Sequence, residues 1–219
     1  MTAHSVPALG RRDLLGFAMA ATIAAVPLRP GMAEQTASGS PQAPIAYLNN
    51  ALLTAMKAGD SMSFDGRYGK LDPVIGQVFN LQAVLAASIG LAWAGMPDAQ
   101  KAQLEAAFRR YTVSSYVANF DSYNGQTFQV LPSVRQVGSG EVVVESRLLR
   151  QDDSPVKLDY VMRQGPNGWQ AVDVLTDGSI SRVAVQRSDF RQLLISGGVP
   201  ALTAGLGRKV ANLSGGMQG

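Results

Sequence analysis

The sequence predicts an α+β domain in which a helical layer packs on a four-stranded antiparallel sheet. Three observations carry this. Apolar residues recur at helical spacing from Pro44 to about Tyr123, the repeat drops to two after Gly125, and turn-rich links separate four alternating segments between residues 126 and 176. At 219 residues and 46% hydrophobic, the chain has room for one core once any leader is set aside.

The helices come first. Ile45, Leu48, Leu52, Leu53 and Met56 form a stripe that ends near Gly59. Residues 72–79 open with Asp72 as a cap and Pro73 at the first helical position, and Asn80 caps a further short helix through Leu91. The next helix starts at Pro97 and is expected to be the longest. Leu104, Phe108, Tyr111, Tyr116, Phe120 and Tyr123 recur along it until Asn124-Gly125 stops it.

Strands are expected at 126–132, 140–150, 155–163 and 169–176, linked by Gly138-Ser139-Gly140, Asp152-Asp153-Ser154-Pro155 and Gly165-Pro166-Asn167-Gly168. Links this short imply an antiparallel meander. In the third strand Val156, Leu158, Tyr160 and Met162 share a dry face, opposite Lys157, Asp159 and Arg163. Strict alternation puts Trp169, Ala171, Asp173 and Leu175 together in the fourth. Helix returns at 188–196 and 199–212, and no internal repeat is present.

The amino terminus reads as an export signal. Arg11 and Arg12 precede a run from Leu14 to Val26, and Gly31-Met32-Ala33 suits cleavage after about Ala33. The run is 13 residues, whereas a span needs about 20. Arg11-Arg12-Asp13-Leu14-Leu15 is similar to a twin-arginine signal, although Gly10 and Gly16 depart from its usual flanks and Sec export fits as well. Residues 1–33 are thus read as a signal peptide, 34–43 as a tether, 44–213 as a single domain and 214–219 as a tail.

Composition excludes several chemistries. The leader holds Arg11, Arg12 and Arg29 against Asp13, which leaves 16 basic and 15 acidic residues of the chain's 19 and 16. With so even a balance, no nucleic-acid footprint is expected. The one histidine, His4, lies in the leader, and there is no cysteine. Histidine triads, thiol catalysis, thiolate or imidazole metal sites and disulfides are therefore ruled out of the mature chain, and no cofactor is expected. Two motif echoes fail. Leu213-Ser214-Gly215-Gly216-Met217-Gln218 looks like an ABC ATPase signature without any phosphate loop, and Gly66-Arg67-Tyr68-Gly69-Lys70 has the wrong spacing. Arg67 and Lys70 are read as solvated charges.

Asp173 faces the apolar side under strict alternation, which is costly for a carboxylate without donors. Its expected role is structural, accepting hydrogen bonds from the Gly178-Ser179-Ile180-Ser181 turn. A catalytic role lacks a second inward acid, a histidine or a metal cluster.

Several stretches resemble one family. Tyr47-Leu48-Asn49-Asn50, Ala106-Ala107-Phe108-Arg109-Arg110-Tyr111, Tyr123-Asn124-Gly125-Gln126-Thr127-Phe128 and Trp169-Gln170-Ala171-Val172-Asp173-Val174, leading to Asp177-Gly178-Ser179, are similar to the MlaC or toluene-tolerance family of periplasmic lipid-transport proteins. Phe64-Asp65-Gly66-Arg67-Tyr68 and residues 117–123 look closer to its HpnM branch, which is associated with hopanoids. The resemblance implies a cone-like fold, similar to nuclear transport factor 2, enclosing an apolar pocket. It also implies a non-enzymatic periplasmic shuttle that carries a phospholipid or hopanoid. Its partners would be an inner-membrane ABC and MCE-type complex and an outer-membrane lipoprotein complex, with transient membrane proximity.

On that reading the acyl-chain lining comprises Leu85, Phe108, Tyr111, Tyr116 and Phe120 from the helices. The sheet adds Val144, Leu148, Leu158, Tyr160 and Met162. From the residues alone, any one of these side chains is more readily an ordinary core residue, and the same apolar faces can simply close into a core. Two rivals stay open at this point: a non-carrier adaptor of a membrane complex, and a small-molecule enzyme on a related fold.

Overall fold

A computed structural model describes residues 39–138, 140–151 and 154–215; the expected signal peptide and the last residues of the expected tail lie outside them. Helices α1 (Gln42–Ala58), α2 (Phe64–Val78), α3 (Leu81–Ile89) and α4 (Asp98–Asn119) come first. Five strands follow, β1 (Thr127–Val137), β2 (Glu141–Leu149), β3 (Val156–Gly165), β4 (Gly168–Thr176) and β5 (Ile180–Ser181), and the helix α5 (Arg182–Gly215) closes the domain. The strands lie in chain order in one antiparallel sheet. The helices pack on that sheet, so the α+β class stands with five strands instead of four.

Helix α1 follows its stripe, with Ile45, Leu48, Leu52 and Met56 buried, and it starts at Gln42, inside the stretch read as tether. Helix α2 departs from expectation: it begins nine residues ahead of Pro73, where the Ser63 hydroxyl accepts a hydrogen bond from Gly66 N at 3.1 Å. The buried series Arg67, Leu71, Val74, Ile75 and Val78 runs straight through Pro73, which the helix tolerates on its exposed side. Arg67 is therefore not a solvated charge; it is buried and donates to Gly59 O at 2.8 Å. Asn80 caps α3 as expected, its Oδ1 accepting from Ala83 N at 2.9 Å. The same residue's N–H donates to Ala171 O at 3.0 Å, which stitches the α2–α3 joint to β4.

Helix α4 stops at Asn119, short of Asn124-Gly125, because Phe120 leaves the helical backbone and its ring stacks on Tyr116 at 5.8 Å. The last helix starts at Arg182, six residues early, and non-helical Gly197 and Gly198 break it. Gly198 has φ +64°, a conformation open to glycine. The second half continues through Ser214 and Gly215, two residues read as tail. Since the break divides α5, α4 remains the longest unbroken helix.

The sheet carries two irregularities. Strand β1 runs to Val137, five residues past the expected end, and its register against β2 slips between Val130 and Val134, around Pro132. Between β3 and β4, Val161 pairs with Asp173 while Met162 pairs with Ala171, so Val172 is an extra, bulged residue. That bulge reverses the alternation: Trp169 and Ala171 share the helix-facing side with Val174 and not with Asp173 and Leu175. The β4–β5 link is the three residues 177–179, in which Asp177 and Gly178 both take positive φ.

Buried residues fall into two clusters. One joins the sheet's inner face to α1 and α2, with Ile45, Leu52, Ile75, Val144, Tyr160 and Met162 among its members. The other is helix on helix, built from Leu85, Leu104, Phe108, Phe190, Leu202 and neighbours. A bidentate ion pair links the layers' helices: Arg109 on α4 holds Asp72 on α2 at 2.7 and 2.9 Å. The guanidinium lies over Gly76, where a Cβ would sit within 2.6 Å of it.

Candidate functional site

A cavity of about 410 Å³ lies where the two clusters meet. Phe79 and Tyr160 reach it from the sheet-side cluster, Val84 and Phe108 from the helical one, and Leu81 packs against both. The volume falls in the range of small-molecule sites, roughly 300–1,000 Å³.

One wall is a face of α4. Phe108, Tyr111, Thr112, Ser115, Tyr116 and Asn119 recur at three- and four-residue steps, which is one side of a helix. Four rings continue the wall: Tyr160, Phe79, Tyr116 and Phe120 follow one another at centroid distances of 6.2, 5.7 and 5.8 Å. Leu148, Val156, Leu158, Val174 and Thr176 of the sheet also line the cavity, with Leu158 and Val174 next to Tyr160 on its own face.

Seven of the ten residues expected to line a pocket border this cavity: Phe108, Tyr111, Tyr116, Phe120, Leu148, Leu158 and Tyr160. Leu85, Val144 and Met162 do not. Leu85 is fully buried within the helical cluster, and Val144 and Met162 within the sheet-side cluster. Both share Tyr160's face, Val144 as its partner across β2 and β3 and Met162 two residues along β3, but both are packed into the sheet-side cluster with residues of α1 and α2. The expectation missed Phe79 and Val84 because nothing in their spacing separates wall from core. It missed Val174 and Thr176 because the Val172 bulge moved them to the inner face.

Polar groups divide by depth. Tyr116 and Tyr160 lie inside. Burial first, and the neighbouring Tyr160 phenol second, lift Tyr116 well above the ordinary phenol range; burial does the same to Tyr160. Both are neutral at physiological pH. Tyr160 Oη and Thr112 Oγ1 are buried with no partner at hydrogen-bonding geometry. At the solvent side, Asn119, Arg150 and Arg182 are exposed and form the rim.

Asp173 also borders the cavity, and its carboxylate is fully engaged. Oδ1 accepts from Val174 N at 2.7 Å and Val183 N at 3.0 Å, and Oδ2 accepts from the Ser181 hydroxyl. Ser181 Oγ accepts in turn from Ala184 N at 3.0 Å. The carboxylate thus fastens the start of α5 to β4. Of the turn expected to supply its donors, Ser181 does so; Ser179 N instead donates to Thr176 O at 3.3 Å, closing the Asp177-Gly178 turn. Among the described residues no cluster of three or more histidine, cysteine or acidic side chains is placed to hold a metal.

Comparison with known proteins adds two findings. The family model described as MlaC protein matches residues 47–208. A solved structure described as the phospholipid-binding protein from Ralstonia solanacearum in complex with a phospholipid has the same fold, with a TM-score of 0.69 at 22% identity. The match covers 80% of this chain and 99% of that one.

Proposed function

This chain belongs to the MlaC family, and from that premise we propose that it is a periplasmic carrier that shelters the acyl part of a phospholipid in the slot between its two cores. The observation that carries the reading is the slot itself, about 410 Å³ with four aromatic rings along one side and a polar rim. A phospholipid-bound relative with the same fold supports the choice of ligand. The reading of residues 1–33 as an export signal supports the compartment.

The energy scale sets how such a carrier works. A lipid with on the order of 30 methylenes, at roughly 0.8 kcal/mol each, loses up to about 25 kcal/mol of burial when it enters water. Release into solvent is therefore negligible, and hand-over takes place in contact with another apolar surface. In this reading the donors and acceptors are an inner-membrane ABC and MCE-type complex and an outer-membrane lipoprotein complex. A hopanoid is the alternative cargo.

Native mass spectrometry of the protein purified from its own periplasm tests this, with Ser115→Trp as the partner variant. Ser115 lies on the wall, and among the described residues its hydroxyl donates to Tyr111 O of its own helix. An indole there fills the slot without opening a core. Wild type is expected to carry phospholipid and the variant to arrive empty, with near wild-type melting. A wild-type protein that is never lipid-loaded overturns the reading.

A further inference from the structure

The cavity's rim has a charge arrangement that a purely hydrocarbon ligand leaves unused. Arg182 is exposed on the rim, and no hydrogen bond or ion pair with a described residue engages its guanidinium. Its placement is nevertheless fixed. The residues on either side of it, Ser181 and Val183, are both tied to the Asp173 carboxylate, one through its hydroxyl and the other through its backbone N–H. A side chain at the start of a helix whose two neighbours are pinned to the sheet has its origin held at the cavity edge.

The nearby Asp173 carboxylate keeps its negative charge but spends its oxygens on donors other than Arg182, with which it makes no hydrogen bond or ion pair. Asp173 is the only acidic residue among the described lining residues, and its oxygens accept three hydrogen bonds from residues 174, 181 and 183. Arg150, one residue past β2, lies on the same rim, and Asn119 and Gln186 add amides.

We propose that Arg182 forms a phosphate subsite at the cavity mouth, so that the carrier selects lipids by a phosphate-bearing head group as well as by their tails. A guanidinium matches two phosphate oxygens at once, and an anion there compensates a charge that the fold holds beside an apolar slot. The proposal rests on the carrier reading and adds a specificity to it.

Displacement of a fluorescent phospholipid from the full mature chain tests the subsite. The competitors are dioleoyl phosphatidylglycerol and dioleoylglycerol, which share acyl chains and differ in the phosphate-bearing head. Wild type is expected to prefer the phosphate-bearing lipid by about tenfold, the worth of one charge-assisted hydrogen bond at an exposed site. The preference is expected to shrink as salt is raised. Arg182→Gln is expected to bring the ratio close to one with dioleoylglycerol binding and melting temperature unchanged, and Arg182→Lys to retain most of it.

Inorganic phosphate alone is expected to bind far more weakly than the lipid, because it has no tail to bury. Equal affinity assigns the site to a free anion and overturns the head-group proposal. An unchanged ratio in Arg182→Gln, or no preference in wild type while both lipids bind, also overturns the subsite and leaves the carrier reading intact. Binding of neither lipid by wild type overturns the carrier reading itself.

Discussion

The two cores of this domain each close within themselves, and only along the line where they meet do they stay apart. The sheet-side cluster closes completely: Val144 and Met162 are 0% exposed and lie against residues of α1 and α2. The helical cluster closes too, with Leu85 and Leu202 at 0%. Yet Tyr160 and Phe108, at 0% and 1%, are just as hidden from solvent and face a void. Low exposure therefore reports that water is absent, not that another side chain is present. A packed interior and a ligand slot differ in what lies across from the residue, which is a property of two elements and not of one.

That contrast has an energetic form, and the largest effect expected is at the packed side. Leu85→Ala leaves a new hole in filled structure and should lower unfolding free energy by about 3 kcal/mol in urea denaturation. Leu158→Ala, on the cavity wall, only enlarges an existing void and should cost about 1 kcal/mol or less. Equal costs at the two positions would break the distinction between core and slot.

The seam between the regions is held by Asp173, so its removal is the next largest effect. Asp173→Ala strands the Val174 and Val183 amides and the Ser181 hydroxyl, and should cost about 2 kcal/mol. Hydrogen exchange should show the first turns of α5 opening more than α3 or α4. Uniform loss of protection across the helices would instead make Asp173 a general stabiliser.

The slot's phenols give a pH signature that neither closed core has. Tyr116 and Tyr160 have folded values raised above the unfolded value of about 10 by burial. Their contribution to stability is complete below pH 10 and is lost as pH rises from there toward the folded values. Tyr160→Phe removes one of the two and should shallow the alkaline loss by up to about 1.4 kcal/mol per pH unit, with little change at neutral pH. An unchanged alkaline slope would show that these phenols are already solvated.

The smallest expected effect is on the sheet's outer face, where neither core reaches. Burial first, then the Glu145 charge, raises the carboxyl of Asp159 above its usual value of 3.8. The raised value means wild-type stability is fullest below about pH 4 as far as this group is concerned and is lost as pH rises through its folded value. Asp159→Asn should gain well under about 1 kcal/mol at neutral pH and flatten that part of the profile. A loss of stability would show that its attraction to Arg135 and Lys157 outweighs burial.

Much of the architecture is readable in one dimension because helices and strands impose their own periods. Ile45 to Met56 marks α1, Asn80 marks the start of α3, and Val156 to Met162 marks a strand with one dry face. The readings that failed did so where a neighbour intervened. Asp72-Pro73 has the form of a helix start, but Leu71 and Arg67 are buried alongside Val74, and tertiary packing carries the helix through the proline to a cap at Ser63. Val172 carries no mark of a bulge, since only the pairing of β3 with β4 creates one. Arg182 follows a turn like any surface arginine; its place on the rim comes from the Asp173 fastening, nine residues back in the chain.

What the sequence determined alone was the inventory and the order: helices first, an antiparallel meander next, helix again, and a set of aromatics whose spacing puts Phe108, Tyr111 and Tyr116 on one side of α4. What only the tertiary structure decided was where the layers meet without filling the space between them. Periodicity is encoded by each element's own backbone geometry. A void is defined by the distance between two elements, and that distance is set by long-range ties such as Arg109 to Asp72 and Asp173 to Ser181.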